Sequence, residues 1–272
     1  MRLTSSGPLH ATFEFGDLRV ISLRDGYIDM PPARLRDESG GPFDTLPDTV
    51  PLVDGNLRLS VNAFLVSDGT TSVLIDTGAS NTWHSTMGSL FDALDEAGVD
   101  RDGITDVAIT HRHEDHVGGL VAPDGTEAFP ELRRVWIGAG DTSVFTGRLA
   151  PFRDRAVPVT DPVAVTDRVT AVPAPGHTPG HTVYEARSDA GRLLVWGDTV
   201  HVPSLQFARP DVSWEFDKDQ AQARAARHAL LDQLTAPAHF VAGAHLDSPG
   251  VGRVTRDGAA GYALEYLAPP IA

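Results

Sequence analysis

One short stretch constrains the fold of this 272-residue chain more than any other: His111-Arg112-His113-Glu114-Asp115-His116. It follows the apolar run Val107-Ala108-Ile109-Thr110 and precedes Val117-Gly118-Gly119. A short apolar run rich in β-branched residues reads as a buried strand, so the histidines begin where a strand ends. Alternate residues of extended chain face the same way, which lets His111 and His113 approach one point. Asp115 and His116 follow on the turn. Imidazoles and a carboxylate gathered within six residues form a nitrogen-rich ligand set. Such a set suits zinc or a similar transition metal better than magnesium or calcium. A lone histidine is usually a surface or core residue; several ligand types at fixed offsets carry much more information.

The rest of the composition narrows the chemistry. The absence of cysteine excludes disulfides, thiolate metal sites and cysteine nucleophiles, and leaves the compartment open. Lys218 is the only lysine, a poor basis for Schiff-base chemistry. Acidic residues outnumber basic ones 37 to 22, a formal net charge of −15, which disfavours a nucleic-acid partner. The N-terminal stretch Met1-Arg2-Leu3-Thr4-Ser5-Ser6-Gly7-Pro8 has no apolar region, so no secretory signal is expected. No apolar stretch approaches the roughly 20 residues that span a bilayer. The expectation is a soluble cytoplasmic protein with no membrane partner.

Along the chain, residues 1–12 read as a loose or partner-docked lead-in. Residues 11–30 alternate and predict two or three strands, with turns at Gly16-Asp17 and Asp25-Gly26. Residues 31–56 are rich in Pro, Gly and Asp and predict a long loop. Leu57–Val66 and Ser72–Ile75 read as strands, the second ending in Asp76-Thr77-Gly78. Trp83–Gly98 has helical periodicity, 104–111 is the strand that carries the histidine motif, and Arg133–Gly138 is another short strand. Asp141–Leu149 is a candidate helix, and Val163–Val172 supplies one or two strands. The turn-dense Pro175–Thr182 carries His177 and His181; Val183–Ala186 and Leu193–Trp196 are strands, the latter running into Asp198. Asp217–Leu234 is the best helix, and Phe240–Ala242 is a short strand leading to His245. No linker divides the chain, so residues 1–272 are read as a single domain. His111, Asp198 and His245 all lie just beyond apolar strands, so they can converge at one sheet edge.

The set His111-x-His113-x-Asp115-His116, then His177, Asp198 and His245, with Asp76-Thr77-Gly78 ahead of it, resembles the metallo-β-lactamase superfamily over about residues 57–250. Pro175–Thr182, Leu194–Asp198 and Ala244–Pro249 are most similar to the methyl parathion hydrolase branch, and dinuclear-zinc N-acyl homoserine lactonases are similar too. The resemblance implies an α/β (α+β) fold: a four-layer αββα sandwich with metals in a groove at one edge. It implies two divalent ions, zinc foremost. His111, His113 and His177 would bind the first; Asp115, His116 and His245 the second; Asp198 would bridge them. Asp115 and Asp198 are then the catalytic carboxylates. It further implies a dinuclear metal-dependent hydrolase in which a metal-bridging hydroxide attacks a lactone, ester or organophosphate triester. A pair of metals about 3.5–4 Å apart can polarise a substrate and lower a bound water's pKa to about 7.

Other residues take supporting parts. His181 is expected to order its loop or back a ligand rather than bind metal. Asp76 is expected to hydrogen-bond a ligand histidine, or to cap backbone amides in its turn. His201 is a candidate pocket residue. Arg112 and Glu114 should point away from the metals. The lack of cysteine separates the chain from β-lactamases with a cysteine ligand, and His113 in place of Glu separates it from the di-iron flavoproteins. Specificity should lie in residues 31–56, around Trp83, in 141–155 and in 201–216, where Phe207, Trp214 and Phe216 offer aromatic surface. Few basic residues accompany these aromatics, Arg148, Arg153, Arg155 and Arg209 being the candidate exceptions. A neutral or weakly polar small-molecule ester, lactone or phosphotriester therefore fits better than a polyanion. The alternatives are a mononuclear iron oxygenase, a metal-dependent phosphodiesterase or nuclease, and a non-catalytic metal-stabilised binding protein. A homodimer stays open, because no interface stripe is evident.

Overall fold

The computed structural model describes residues 1–259 and 261–271. Its strands are β1 (Arg2–Ser6), β2 (His10–Phe15), β3 (Leu18–Met30), β4 (Leu35–Arg36), β5 (Leu57–Ser67), β6 (Ser72–Ile75), β7 (Asp106–Ile109), β8 (Arg134–Gly138) and β9 (Ala156–Val159). They continue with β10 (Val163–Ala164), β11 (Val169–Pro173), β12 (Thr182–Ser188), β13 (Gly191–Val195), β14 (Ser213–Trp214), β15 (His239–Ala242), β16 (Val251–Asp257) and β17 (Gly261–Tyr266). The α-helices are α1 (Leu90–Glu96), α2 (Glu114–Val117), α3 (Pro203–Gln206) and α4 (Gln220–Leu234).

Among the described residues, eight strands form one sheet in the order β1-β2-β3-β5-β6-β7-β8-β9, and seven form a second in the order β10-β11-β12-β13-β15-β16-β17. Phe13, Phe15, Phe64 and Ile75 of the first sheet meet Tyr184, Leu193, Val195 and Phe240 of the second in a buried cluster between them. On the outer face of the first sheet, Ile21, Leu65 and Val107 pack with Leu90, Ala93 and Leu94 of α1. On the outer face of the second, Val183, Leu194 and Val241 pack with Leu231 and Leu234 of α4. The layers are helix, sheet, sheet, helix. Sheet covered on both faces needs apolar residues at consecutive positions, which is why β7 is buried throughout and shows no alternation.

Parallel pairing decides where the site falls. β6 runs parallel to β7, and β13 runs parallel to β15. The chain segments that follow these strands gather at one edge of the sandwich. There Thr182 N–H donates to Thr110 O at 2.8 Å and the Tyr184 hydroxyl donates to Ile109 O at 2.8 Å, tying the sheets together. The amide of Asn62 on β5 donates to Ala244 O at 3.0 Å and Leu246 O at 2.8 Å, fixing the turn that carries His245.

Several elements depart from the sequence expectation. Arg2–Ser6 is no loose lead-in: it is an edge strand paired antiparallel to β2. It is exposed along most of its length, so it has no apolar periodicity to read. β3 does not turn at Asp25-Gly26 but passes through with a bulge between Arg24 and Gly26. The helix expected over Trp83–Gly98 is only Leu90–Glu96. Gly88 has φ +97°, and a Cβ there would lie 2.4 Å from Ser80 O, so the preceding residues are held as a loop. Buried Asp25 accepts Leu90 N–H at 3.1 Å and Ala79 N–H at 2.9 Å, so the start of the helix is capped by a distant strand. Asp141–Leu149 forms parts of two 3₁₀ stretches rather than an α-helix. α4 begins at Gln220, with the Asp219 carboxylate accepting Gln222 N–H at 2.9 Å. No helix among the described residues is long and apolar enough to cross a membrane.

Candidate metal centre

The centre is assembled from strand ends. Beyond β7, Thr110 is clamped by buried Asp76, whose carboxylate accepts its N–H at 2.7 Å and its hydroxyl at 2.8 Å. His111 and His113 follow, and His113 is the N-cap of α2, which places Asp115 and His116 in that helix's first turn. His177 comes from the loop before β12, Asp198 from the turn after β13, and His245 from the turn after β15. All except His113 are buried; His113 is half-buried.

Three donor groups result, of which two share no residue and the third joins Asp198, His201 and His245. In the first, His113 Nδ1 lies 2.9 Å from His111 Nε2 and 3.1 Å from His177 Nε2, and Asp198 Oδ2 lies 3.2 Å from His177 Nε2. In the second, Asp115 Oδ2 lies 3.4 Å from His116 Nε2 and 3.6 Å from His245 Nε2. Asp198 stands between them, with Oδ1 3.1 Å from His116 Nε2 and Oδ2 3.2 Å from His245 Nε2. Within each group the donor atoms lie within 4.8 Å of one another.

Four of the outward ring nitrogens are engaged. His177 Nδ1 meets Asp217 Oδ1 at 2.8 Å, His116 Nδ1 meets Asp76 Oδ2 at 2.8 Å, and His245 Nδ1 meets Ser60 O at 2.7 Å. His111 Nδ1 is 3.1 Å from the Thr110 hydroxyl. A hydrogen bond at the outer nitrogen orients the ring and leaves the inner nitrogen's lone pair free to coordinate. Meanwhile His116 Nε2 and Asp198 Oδ1, both buried and 3.1 Å apart, form no hydrogen bond with each other or with any other described residue. Buried polar atoms are rarely left so. Imidazole nitrogens facing one another beside carboxylates, with their far sides pinned, suit a shared divalent cation.

The electrostatics point the same way. Burial pushes His111 well below its ordinary range and, helped by the neighbouring His177, brings His113 down to about 4. Burial also opposes charge on His177, but its hydrogen bonds to Asp198 and Asp217 raise it to about 9. His116 is likewise raised against burial, by Asp198, Asp115 and Asp76. Asp198 is held well below the usual carboxylate range by the surrounding histidines, despite its burial. Positive charge is thus wanted at the centre whether protons or metal supply it.

The remaining expected residues fall in different places. His181 joins none of the donor groups: its Nδ1 is 3.1 Å from Ala174 O, and its Nε2 accepts Asp198 N–H at 3.1 Å. Its ring therefore fixes the backbone of Asp198. Asp76 does both things expected of it, capping Thr110 and orienting His116. His201 lies at the centre, with Nε2 3.2 Å from Asp198 Oδ2 and its ring between those of Trp214 and His245, at 5.1 and 5.2 Å. The Arg112 side chain turns back to Asp141 at 3.8 Å, and the Glu114 side chain lies beside Arg148 at 3.6 Å.

A narrow cleft opens onto the centre, walled by Ile28, Met30, Leu59, Trp83, Trp214 and Phe216. Trp83 and Phe216 stand at its mouth, 44% and 45% exposed. Phe207 is not in this wall, contrary to expectation: it is buried against Trp196, ring centres 5.9 Å apart, because α3 turns it into the core beneath α4. The 141–155 segment also stays out of the lining. Arg148, Arg153 and Arg155 spend their guanidinium groups on Gly118 O, Phe145 O and Glu127, and Arg209 lies over the Phe43 ring. Among the described residues the lining carries no lysine or arginine.

Sequence reading missed Asp217, Asp141 and the wall residues Ile28, Met30 and Leu59. Asp217 read only as the start of a helix. Asp141 accepts Arg112 N–H at 3.2 Å and the Thr178 hydroxyl at 2.5 Å, joining the loops of His113 and His177. Nothing in its local sequence signals that role. Ile28, Met30 and Leu59 lie where β3 and β5 reach the site edge, so their alternation looks like any other strand's.

The model of the metallo-β-lactamase superfamily matches residues 57–245, and the chain belongs to that superfamily. A hydroxyacylglutathione hydrolase of Pseudomonas putida is 35% identical over 136 residues, 49% of this chain and 46% of the relative. The chain thus spans about half the length of the curated relatives it matches. Among solved structures, AidC, a dizinc quorum-quenching lactonase in complex with a product N-hexanoyl-L-homoserine, superposes with a TM-score of 0.81 at 21% identity, covering 95% of this chain and 97% of that one. AbOPH, a hydrolase of the β-lactamase superfamily, gives a TM-score of 0.83 at 24% identity, covering 96% and 98%. Likenesses at these identities establish the fold.

Proposed function

We propose that this protein is a dinuclear metal-dependent hydrolase acting on a neutral lactone or ester with an apolar substituent. The observation that carries the reading is the pair of separate donor groups with Asp198 between them, the outer nitrogens of His177, His116 and His245 being already pinned. His111, His113 and His177 would hold one ion, and Asp115, His116 and His245 the other, with Asp198 between the two groups; zinc suits this donor set best. Bound there, divalent ions supply hydroxide near neutral pH and a Lewis acid for a carbonyl oxygen. The chain's own residues do the rest. Asp76, Asp217 and the Ser60 carbonyl orient the ligand rings. Asp115, buried beside His116 and His245, is the carboxylate placed to hold the proton released by water and return it to the leaving oxygen. Trp214, Phe216, Met30 and Leu59 exclude water and seat an apolar chain. One unit spanning residues 1–272 is proposed, because β1–β3 are integral to the same sheet as the matched region.

The cleft wall chooses among substrates. AidC holds an N-hexanoyl-homoserine product, and an acyl chain of that kind suits the apolar lining here. The partial likeness to hydroxyacylglutathione hydrolases raises a glutathione ester as a second reading. Glutathione carries carboxylates, however, and the lining offers no lysine or arginine to meet them. A phosphotriester, neutral and apolar, stays in the tested class. An iron oxygenase would leave the second donor group without a part. Hydrolysis assays on acyl-homoserine lactones of increasing chain length, an aryl ester, a phosphotriester and a glutathione thioester test the reading. It expects kcat/KM to rise with acyl length and the glutathione thioester to be the poorest substrate. A preference for the thioester would contradict it.

A further inference from the structure

Arg227 is the feature least explained by a metal centre and an apolar cleft. It lies on the inner face of α4 with Ala223, Leu231 and Leu234, and is 1% exposed. Arginine is rarely so buried, because desolvating a guanidinium costs several kcal/mol unless its donors are used. Here they are used on one segment. Nε donates to Thr199 O at 2.7 Å, and Nη1 donates to Pro210 O at 2.7 Å and Val212 O at 2.9 Å. Nη2 lies 3.6 Å from Asp217 Oδ2.

Asp217 faces three ways. Its Oδ1 meets His177 Nδ1 at 2.8 Å, its Oδ2 accepts Trp214 N–H at 3.0 Å, and that same oxygen faces Arg227. The segment from Thr199 to Trp214 starts beside Asp198 and carries His201 and the Trp214 wall of the cleft. The histidine loop is seated against the residues that lead into the same helix: Asp219 N–H donates to Gly176 O at 2.9 Å and Lys218 N–H to His177 O at 3.0 Å. A Cβ on Gly176 would lie 2.3 Å from Ala223 N. One carboxylate and one guanidinium therefore connect a histidine of the first donor group, the backbone beside Asp198 and the cleft wall.

We propose that Asp217 and Arg227 are positioning residues that lock His177 and the 199–214 wall into one unit, so that filling the three-histidine position and shaping the substrate cleft are coupled. This rests on the metal reading above. An apolar residue at 227 would fill the helix–sheet space as well and would cost less to bury. The guanidinium adds a set of directional ties that a methionine cannot make.

The test is zinc titration of metal-stripped protein against a chromogenic chelator, with tryptophan emission followed in parallel. The parent is compared with Asp217→Asn, Arg227→Met and Arg227→Lys, each checked for folding by circular dichroism. The parent is expected to take up two equivalents, with an emission change accompanying one. Asp217→Asn should weaken that equivalent about 10- to 100-fold. Arg227→Met should weaken the same equivalent and uncouple the emission change from it, leaving the other equivalent near its parent affinity. Arg227→Lys, the variant that keeps the charge, should recover only part. If Asp217→Asn and both Arg227 variants bind both equivalents as the parent does and lose only thermal stability, the residues are structural and the proposal is overturned. If Arg227→Met does not fold, Asp217→Asn and Arg227→Lys decide by the same criteria. A parent that takes up no zinc overturns the metal reading itself, an outcome separate from any variant's.

Discussion

Two buried aspartates outside the donor groups carry residue-scale consequences. Asp76 spends one oxygen on Thr110 N–H and the other on the Thr110 hydroxyl and His116 Nδ1. Asp76→Ala should cut metal affinity or kcat about 10- to 100-fold with little change in KM, measured by chelator competition and steady-state kinetics. Asp25 works differently. Burial raises its pKa to about 6, although Ala79, Gly88 and Leu90 amides favour its charged form. A carboxyl raised on folding binds more protons in the folded state than in the unfolded one, so its contribution is present below pH about 4 and is lost as pH rises through about 6. Urea unfolding of the parent and Asp25→Asn across that window should show the parent's relative stability falling as pH rises. A pH-independent difference would mean that Asp25 titrates as an ordinary carboxyl. Residues of the donor groups were legible because coordinating side chains lie at fixed offsets beyond apolar strands. Asp217 and Asp25 were not, because one aspartate before a helix and another in a strand look like solvated charges until the chain folds back on them.

At the scale of elements, the outer layers depend on one helix face each. Leu231 of α4 is fully buried against the second sheet. Leu231→Ala should cost about 2–5 kcal/mol in denaturant unfolding, with the cleft residues untouched. Trp214 belongs to a strand of two residues, β14, paired with β4. Trp214→Ala should raise KM for long acyl substrates more than it lowers kcat for short ones, since it removes wall rather than donors. Strands with a buried face, such as β5 and β6, were readable from pattern, and so was the alternation of β2 and β3. The over-long helix at Trp83–Gly98 shows the limit. Its apolar spacing continues through Gly88, but Asp25 and the left-handed glycine hold those residues as the loop that brings Trp83 to the cleft mouth. Edge strand β1 escaped notice for the opposite reason, having almost no buried face.

At the scale of the molecule, parallel strand pairs from two sheets deliver histidines and aspartates to a single edge, where the buried carboxylates of Asp115 and Asp198 call for cations. Ions bound only by the folded state stabilise it, by about 2.7 kcal/mol for one ion at a hundredfold excess over its dissociation constant. Removing metal with a chelator should therefore lower Tm by several degrees, and adding zinc should restore it; an unchanged Tm would argue against occupancy. The most direct measurement is the metal content of the purified protein by elemental analysis, with His111→Ala and Asp198→Ala beside it. About two zinc-class ions per chain are expected in the parent, with a clear loss in both variants that is larger where the shared Asp198 is removed. A parent holding one iron or no metal, or an Asp198→Ala protein that keeps both ions, would contradict that expectation.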